Sequence, residues 1–451
     1  MENQKAWVVT ADMGYGHQRA VHPLRSIAEG EIITAGLPTG QAGLPTGQAG
    51  SNEGSTKAEQ KLWRRVLGAY EFISRAKGIP LVGKSIFNLL EIFLRIPSFY
   101  PMRDLSNKTF QVDLLEKSIK KGLCESMIKQ VSAKHLPIVT SFYAPAIAAD
   151  SIGLNAVYCI ICDADINRVW AAKEPWESKI VYFVPCGKVA QRLKAYGVPN
   201  EKILITGFPL PEELTGDENL TTLKSDLGKR LKRLDPAGIF WARHGMNVKY
   251  FLGEENCKEP ADKKITLTYS VGGAGAQKEI GGLIAKSLKN KILDNEIKLN
   301  LVAGTKGNVK EYFESVANEI TADKSKINVI YSESLSGYFD NFNGALHETD
   351  ILWTKPSELS FYCALGLPII MAPAIGSQEK ANRKWLNEIR AGIKQLKPEY
   401  TDQWLPEMIK NGSLAEAAWF GFLKARKLGT HNIIEILKNG RMKPELSPVI
   451  R

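Results

Sequence analysis

Lys264–Leu288 reads KITLTYSVGGAGAQKEIGGLIAKSL. A β-branched apolar run stops at Gly272, Gly273 and Gly275 and then takes on helical spacing. This is the pattern of a buried strand, a tight glycine loop and a helix. Such a loop brings backbone N–H groups and a helix N-terminus close to an anion or a sugar. About 260 residues earlier Ala6–Leu24, AWVVTADMGYGHQRAVHPL, repeats the pattern with Gly14, Gly16 and His17. Two copies, each opening its own α/β segment, predict an α/β protein of two Rossmann-like, doubly wound parallel-sheet domains facing each other across a cleft.

The chain has 451 residues, which favours two domains. Its hydrophobic content of 44% and charged content of 24% are those of globular proteins. A net charge of +11 favours an anionic partner. No nucleic-acid-binding motif accompanies that charge, so no nucleic acid is expected. Cys159 and Cys162 form a CxxC inside the apolar run AVYCIIC, away from the strand-to-helix turn that redox chemistry uses. They read as buried thiols in a reducing cytosol. The start lacks a secretory pattern and no run of about 18 apolar residues occurs, so the expected location is cytoplasmic.

Four regions follow. Residues 1–211 form an N-terminal Rossmann-like acceptor domain, and 212–261 a linker with an irregular insertion. Residues 262–430 form the donor domain, and 431–451 a tail. Residues 35–50, AGLPTGQAGLPTGQAG, repeat a seven-residue unit whose composition cannot build a core and reads as a duplicated surface loop. Residues 57–108 hold ten Lys/Arg against four Asp/Glu, with Ile86, Leu89, Leu90, Phe93 and Leu94 on one helical stripe. That stretch is either a basic amphipathic segment lying on an anionic membrane surface or a core helix pair with snorkelling basic residues.

Four stretches together resemble the GT-B glycosyltransferases. They are DMGYGHQRAV (12–21), VPCGKVAQRLKAYGVPNEKILITGFPLP (184–211), SVGGAGAQ (270–277) and DILWTKPSELSFYCALGLPIIMAPAIGSQEKANRKWL (350–386). The branch they resemble contains monogalactosyldiacylglycerol synthases, processive diacylglycerol glucosyltransferases and the lipid-linked N-acetylglucosaminyl transferase of peptidoglycan synthesis. Ser357 and Glu358 follow Lys355-Pro356 where that branch usually carries paired glycines, and Glu358 is the nearest acidic candidate to contact a nucleotide ribose. The resemblance implies a metal-independent hexosyltransferase with no cofactor. It would take a nucleotide-sugar co-substrate, UDP-linked, and a lipid acceptor at the inner face of a membrane.

Chemistry then assigns candidates. A leaving diphosphate needs fixed positive dipoles, which Gly272, Gly273, Ala274 and Gly275 can present through their backbone N–H groups, with Lys355 adding charge. The plain alternatives are a tight βα turn and a surface lysine. Ser357, Glu358, Gln378, Glu379 and Asn382 can hydrogen-bond sugar or ribose hydroxyls; a Glu at a helix start is also favoured by the dipole alone. His17, beside the acceptor glycines Gly14 and Gly16, suits general-base work near neutrality. His22, further into the helix, reads as structural. Asp163 and Asp165 end a buried strand before Trp170, a candidate acceptor contact. Either carboxylate can orient His17, bind acceptor, or cap the next helix. No spacing for metal ligands appears, so no metal is expected. Two rivals share the fold: a non-hydrolysing nucleotide-sugar epimerase, and a non-catalytic sugar-nucleotide or lipid-binding relative.

Overall fold

The computed structural model describes residues 4–36, 55–65, 96–273, 275–444 and 447. Most of the repeat at 35–50 and residues 66–95 of the basic segment lie outside the described residues, as does Ala274. The chain divides into two compact units. The first comprises Met1–Pro209, Ile375–Asn382 and Gly429–Lys443; the second holds Leu210–Ala374, Arg383–Leu428 and Pro444–Arg451.

The first unit carries a six-stranded sheet. Its strands are β1 (Trp7–Ala11), β2 (Ile33–Ala35), β3 (Ile138–Thr140), β4 (Val157–Ile160), β5 (Val181–Phe183) and β6 (Ile203–Leu204). The order is β2-β1-β3-β4-β5-β6 and every pairing is parallel. All of β1 is buried, as a parallel strand covered on both faces should be. Val9 pairs with Thr140, so the chain leaves β1 and β3 side by side. The order reverses there, and the C-terminal ends of β1 and β3 form the switch point where open α/β sheets bind ligands.

The second unit repeats the plan with β7 (Ile265–Ser270), β8 (Ile297–Gly304), β9 (Ile327–Tyr331), β10 (Ile351–Thr354), β11 (Ile369–Met371) and β12 (Gly392–Lys394). Its order, β12-β11-β10-β7-β8-β9, is again all parallel. Read from the other edge this is the Rossmann order 3-2-1-4-5-6, with its switch point between β7 and β10. Ser270 pairs with Thr354, which sets Gly272 beside Lys355. The expected doubly wound Rossmann-like architecture is therefore present twice.

The region read as an irregular linker is not one. Residues 221–252 hold two helices, Thr221–Arg233 and Ile239–Leu252, in the second unit. Leu223, Leu227 and Leu231 recur every fourth residue on the first helix, and all three are buried. Arg230, 2% exposed, donates to the carbonyls of Thr349 (2.8 Å), Leu365 (2.8 Å), Gly366 (3.3 Å) and Leu346 (3.4 Å). Burial lowers its pKa only to about 10, so it stays charged at neutral pH and these bonds are charge-assisted. Replacing it (Arg230→Met) leaves several buried carbonyls unpartnered. We expect a loss of about 2–3 kcal/mol, read as a lower urea midpoint; an unchanged midpoint would return this helix to the status of a linker.

The tail also differs from expectation. Gly429–Asn439 is a helix of the first unit with Ile433, Ile436 and Leu437 buried, and Asn432 Nδ2 donates to Thr206 O at 2.9 Å. The stretch ELSFYCAL is a 3-10 helix, Glu358–Leu365, buried at all eight positions. All six cysteines are free thiols. Cys159 and Cys162 are fully enclosed, and burial pushes the Cys159 thiol well up, which removes redox reactivity.

Candidate functional site

In the first unit the loop after β1 turns at Gly14, whose φ of +106° only glycine adopts without strain. The helix Tyr15–Val21 then starts, with His17 in its first turn. Ser141 follows β3, and its N–H donates to Val9 O at 3.2 Å, tying the two strand ends together. The Ser141 carbonyl accepts from His17 Nδ1 at 2.8 Å. A carbonyl only accepts, so the proton sits on Nδ1 and Nε2 is the basic nitrogen of the ring. Cys162 Sγ approaches the same carbonyl at 3.8 Å.

Aromatic rings wall the imidazole. Phe142 meets it edge-on with centroids 4.9 Å apart, and Trp170 lies at 6.1 Å. Tyr143 packs on Phe142 (4.2 Å) and Trp170 (5.2 Å). Trp170 is held in turn by Tyr182, whose hydroxyl donates to its carbonyl at 3.1 Å. Phe142, Tyr143 and the Ser141 carbonyl are missed by the sequence reading, although the run TSFYAP at the end of a buried strand was the available signal.

Asp165 does not serve His17. It is buried, with both oxygens accepting from Arg192 (2.7 and 3.0 Å), and Oδ1 also takes the Ile166 N–H at 2.9 Å. Arg192 in turn stacks over Phe99, 3.7 Å from its ring centre. This is a bidentate ion pair that fixes the end of β4, and the catalytic expectation for Asp165 is corrected accordingly. Asp163 accepts from Asn382 Nδ2 at 2.9 Å, and Asn382 Oδ1 accepts from Ala164 N–H at 2.7 Å. Asn382 is fully buried and belongs to the first unit. Its amide braces residues 163–164, in place of the donor contact expected from sequence. Glu379 accepts from Ile375 N–H at 2.5 Å, closing the loop before its own helix. Gln378 is half-exposed in the same turn.

In the second unit Gly272, Gly273 and Gly275 follow β7, and Gly275 N–H donates to Gly272 O at 2.7 Å. Gly275 sits at φ +69°. The Lys355 side chain lies across Gly272: a Cβ there would fall 2.2 Å from its Cε and 2.8 Å from its Nζ. The Lys355 ammonium thus lies over the bare backbone of Gly272. Ser357 N–H donates to Lys355 O at 2.7 Å, and Glu358 is 8% exposed at the start of the 3-10 helix. Gln277, at φ +69°, carries the loop into the helix Lys278–Ser287, and its Nε2 donates to Pro373 O at 3.0 Å. Among the described residues no group of three or more His, Cys, Asp or Glu is arranged to hold a metal ion, and no helix is long and apolar enough to cross a membrane.

Comparison with known proteins adds names at low similarity. No protein-family model matches the chain, and no curated protein sequence matches it. Among solved structures it is similar to MurG of Acinetobacter baumannii, at 14% identity over 96% of this chain and 99% of that one, with a TM-score of 0.45. It is also similar to a putative UDP-N-acetylglucosamine 2-epimerase of Listeria monocytogenes (12% identity, 99% of both chains, TM-score 0.47). A third is CalG4, the calicheamicin glycosyltransferase (12% identity, 92% of this chain and 93% of that one, TM-score 0.45). The fold assignment stands on the chain's own strand order and not on these likenesses.

Proposed function

We propose that the protein is a glycosyltransferase that moves a hexosyl or N-acetylhexosaminyl group from a UDP-sugar to a lipid or other membrane-associated acceptor. One observation carries the reading: each glycine loop lies at the switch point of its own Rossmann sheet, one backed by His17 and the other by Lys355. The acceptor hydroxyl would give its proton to His17 Nε2 as its oxygen bonds to the anomeric carbon. The bond from that carbon to the diphosphate breaks, and the electron pair leaves with UDP. Backbone N–H groups at Gly272 and Gly273 and the Lys355 ammonium stabilise the charge that collects there. The acceptor class rests on the resemblance of the four motif stretches and on the basic, aromatic character of residues 57–108.

The test is an assay of radiolabelled UDP-glucose, UDP-galactose and UDP-N-acetylglucosamine, with and without vesicles carrying diacylglycerol or a polyprenyl phosphate. Acceptor-dependent transfer of label to lipid is the expected result. Epimerisation of UDP-N-acetylglucosamine at C2 without acceptor would establish the rival epimerase, and UDP-sugar binding with no turnover would leave a binding module.

A further inference from the structure

A parallel strand covered on both faces is normally apolar throughout, and β1 and β3 keep that rule until their C-terminal ends. There the sequence places Thr10, Thr140 and Ser141, all three buried. A hydroxyl is costly in such a position unless it is hydrogen-bonded, and valine would fill a strand site of that size without the cost. Neither the strand pairing nor the proton transfer proposed above uses these three side chains.

Their partners show what they hold. The Thr10 and Ser141 hydroxyls share a hydrogen bond of 3.0 Å, in which either can donate. Ser141 is thereby joined to β1 twice, by its hydroxyl on Thr10 and by its N–H on Val9 O at 3.2 Å. Its carbonyl is the group that receives His17 Nδ1–H at 2.8 Å. Thr140 Oγ1 accepts from the Phe142 N–H at 3.2 Å and donates to the Phe142 carbonyl at 3.3 Å, which fixes the backbone of that residue. Phe142 is the ring that meets the imidazole edge-on, with centroids 4.9 Å apart. Each hydroxyl therefore acts on a residue that touches His17.

We infer that Thr10, Thr140 and Ser141 are positioning residues for His17: their hydroxyls hold the Ser141 carbonyl and the Phe142 ring where these keep the imidazole in its Nδ1–H form. The role in turnover rests on the reading of His17 as the base. A neutral imidazole carries its proton on one nitrogen only, and the hydrogen bonds of the ring decide which. With Nδ1 protonated, Nε2 has the lone pair that takes the proton of the acceptor. If the Ser141 carbonyl moves away, the proton can pass to Nε2, and that form is no base toward the acceptor.

The test uses the full chain carrying Thr10→Val together with Ser141→Ala. Removing both members of a buried hydroxyl pair strands neither, so the urea midpoint should stay close to that of the wild type. Two-bond nitrogen–proton NMR spectra of histidine-labelled protein at alkaline pH show which ring nitrogen carries the proton, and His17→Gln identifies the His17 signals. The wild type should show the Nδ1–H form alone, and the double variant a mixture with the Nε2–H form. Transfer by the double variant should be about tenfold slower at unchanged UDP-sugar affinity. Thr140→Val, an independent change on the Phe142 side, should also admit the Nε2–H form. Thr10→Ser keeps the hydroxyl and leaves a methyl-sized void, so it should lower the urea midpoint yet keep the wild-type ring signal and turnover. An unaltered Nδ1–H signal in the folded double variant and in Thr140→Val would overturn the inference, as would its loss in Thr10→Ser. The ring signal needs no turnover, so it decides this inference separately from the base role, which fails if His17→Ala turns over as the wild type does.

Discussion

Changing His17 to Ala is expected to lower turnover by about 10²–10⁴-fold while leaving UDP-sugar affinity unchanged. The size follows from the role: the ring supplies only proton transfer. The separation of effects follows from location. His17 belongs to the first unit and its Nδ1–H is anchored on Ser141 O, whereas the glycine loop at Gly272 belongs to the second. The anchor matters as much as the base, because it fixes which nitrogen carries the proton. His17→Gln keeps an amide donor for that carbonyl and removes the base, so it should fold as the wild type does and be as slow as His17→Ala. Single-turnover transfer kinetics and nucleotide titration on the same samples check this. Retained turnover in both variants would remove His17 from the chemistry.

The second large effect is on stability. Asp165→Ala strands the Arg192 guanidinium, itself 2% exposed, with its partner gone and Nη1 already lacking one. Removing one member of a buried pair costs about 3–5 kcal/mol, because the other charge stays buried. The stacking of Arg192 on Phe99 offsets little of this, since cation–π contacts contribute about 1–2 kcal/mol and are present in both proteins. A lower urea midpoint for the first unit is therefore expected. Asp165→Ala combined with Arg192→Met should recover part of the loss. If Asp165→Ala instead kept its stability and lost turnover, the carboxylate would be catalytic after all.

The two glycine loops were legible because local rules fix them. An apolar β-branched run, glycines and helical spacing define a βα turn, and a repeated turn of that kind implies a parallel sheet with its loops at strand ends. Lys355 was legible as a neighbour of that turn through its own strand. The side-chain partners were not. Asn382 lies 219 residues from Asp163, and Asp165 lies 27 from Arg192, distances at which no periodicity reports contact. An Asp at a strand end looks alike whether it faces substrate or an arginine, and only the fold decides. The helix Ile239–Leu252 escaped for another reason. Its buried residues are only Phe240, Val248 and Leu252, too sparse a stripe for helical spacing to report.

The central claim is that the loop at 272–275 with Lys355 holds a nucleotide diphosphate, and calorimetric titration of UDP, GDP and TDP into the wild type, Lys355→Ala and Gly272→Ala tests it most directly. A Cβ at 272 meets the flexible end of Lys355, so Gly272→Ala should displace the ammonium without unfolding the chain. UDP binding by the wild type, weakened about tenfold or more in both variants, is the predicted result. A well-folded wild type that binds none of the three nucleotides would contradict the account.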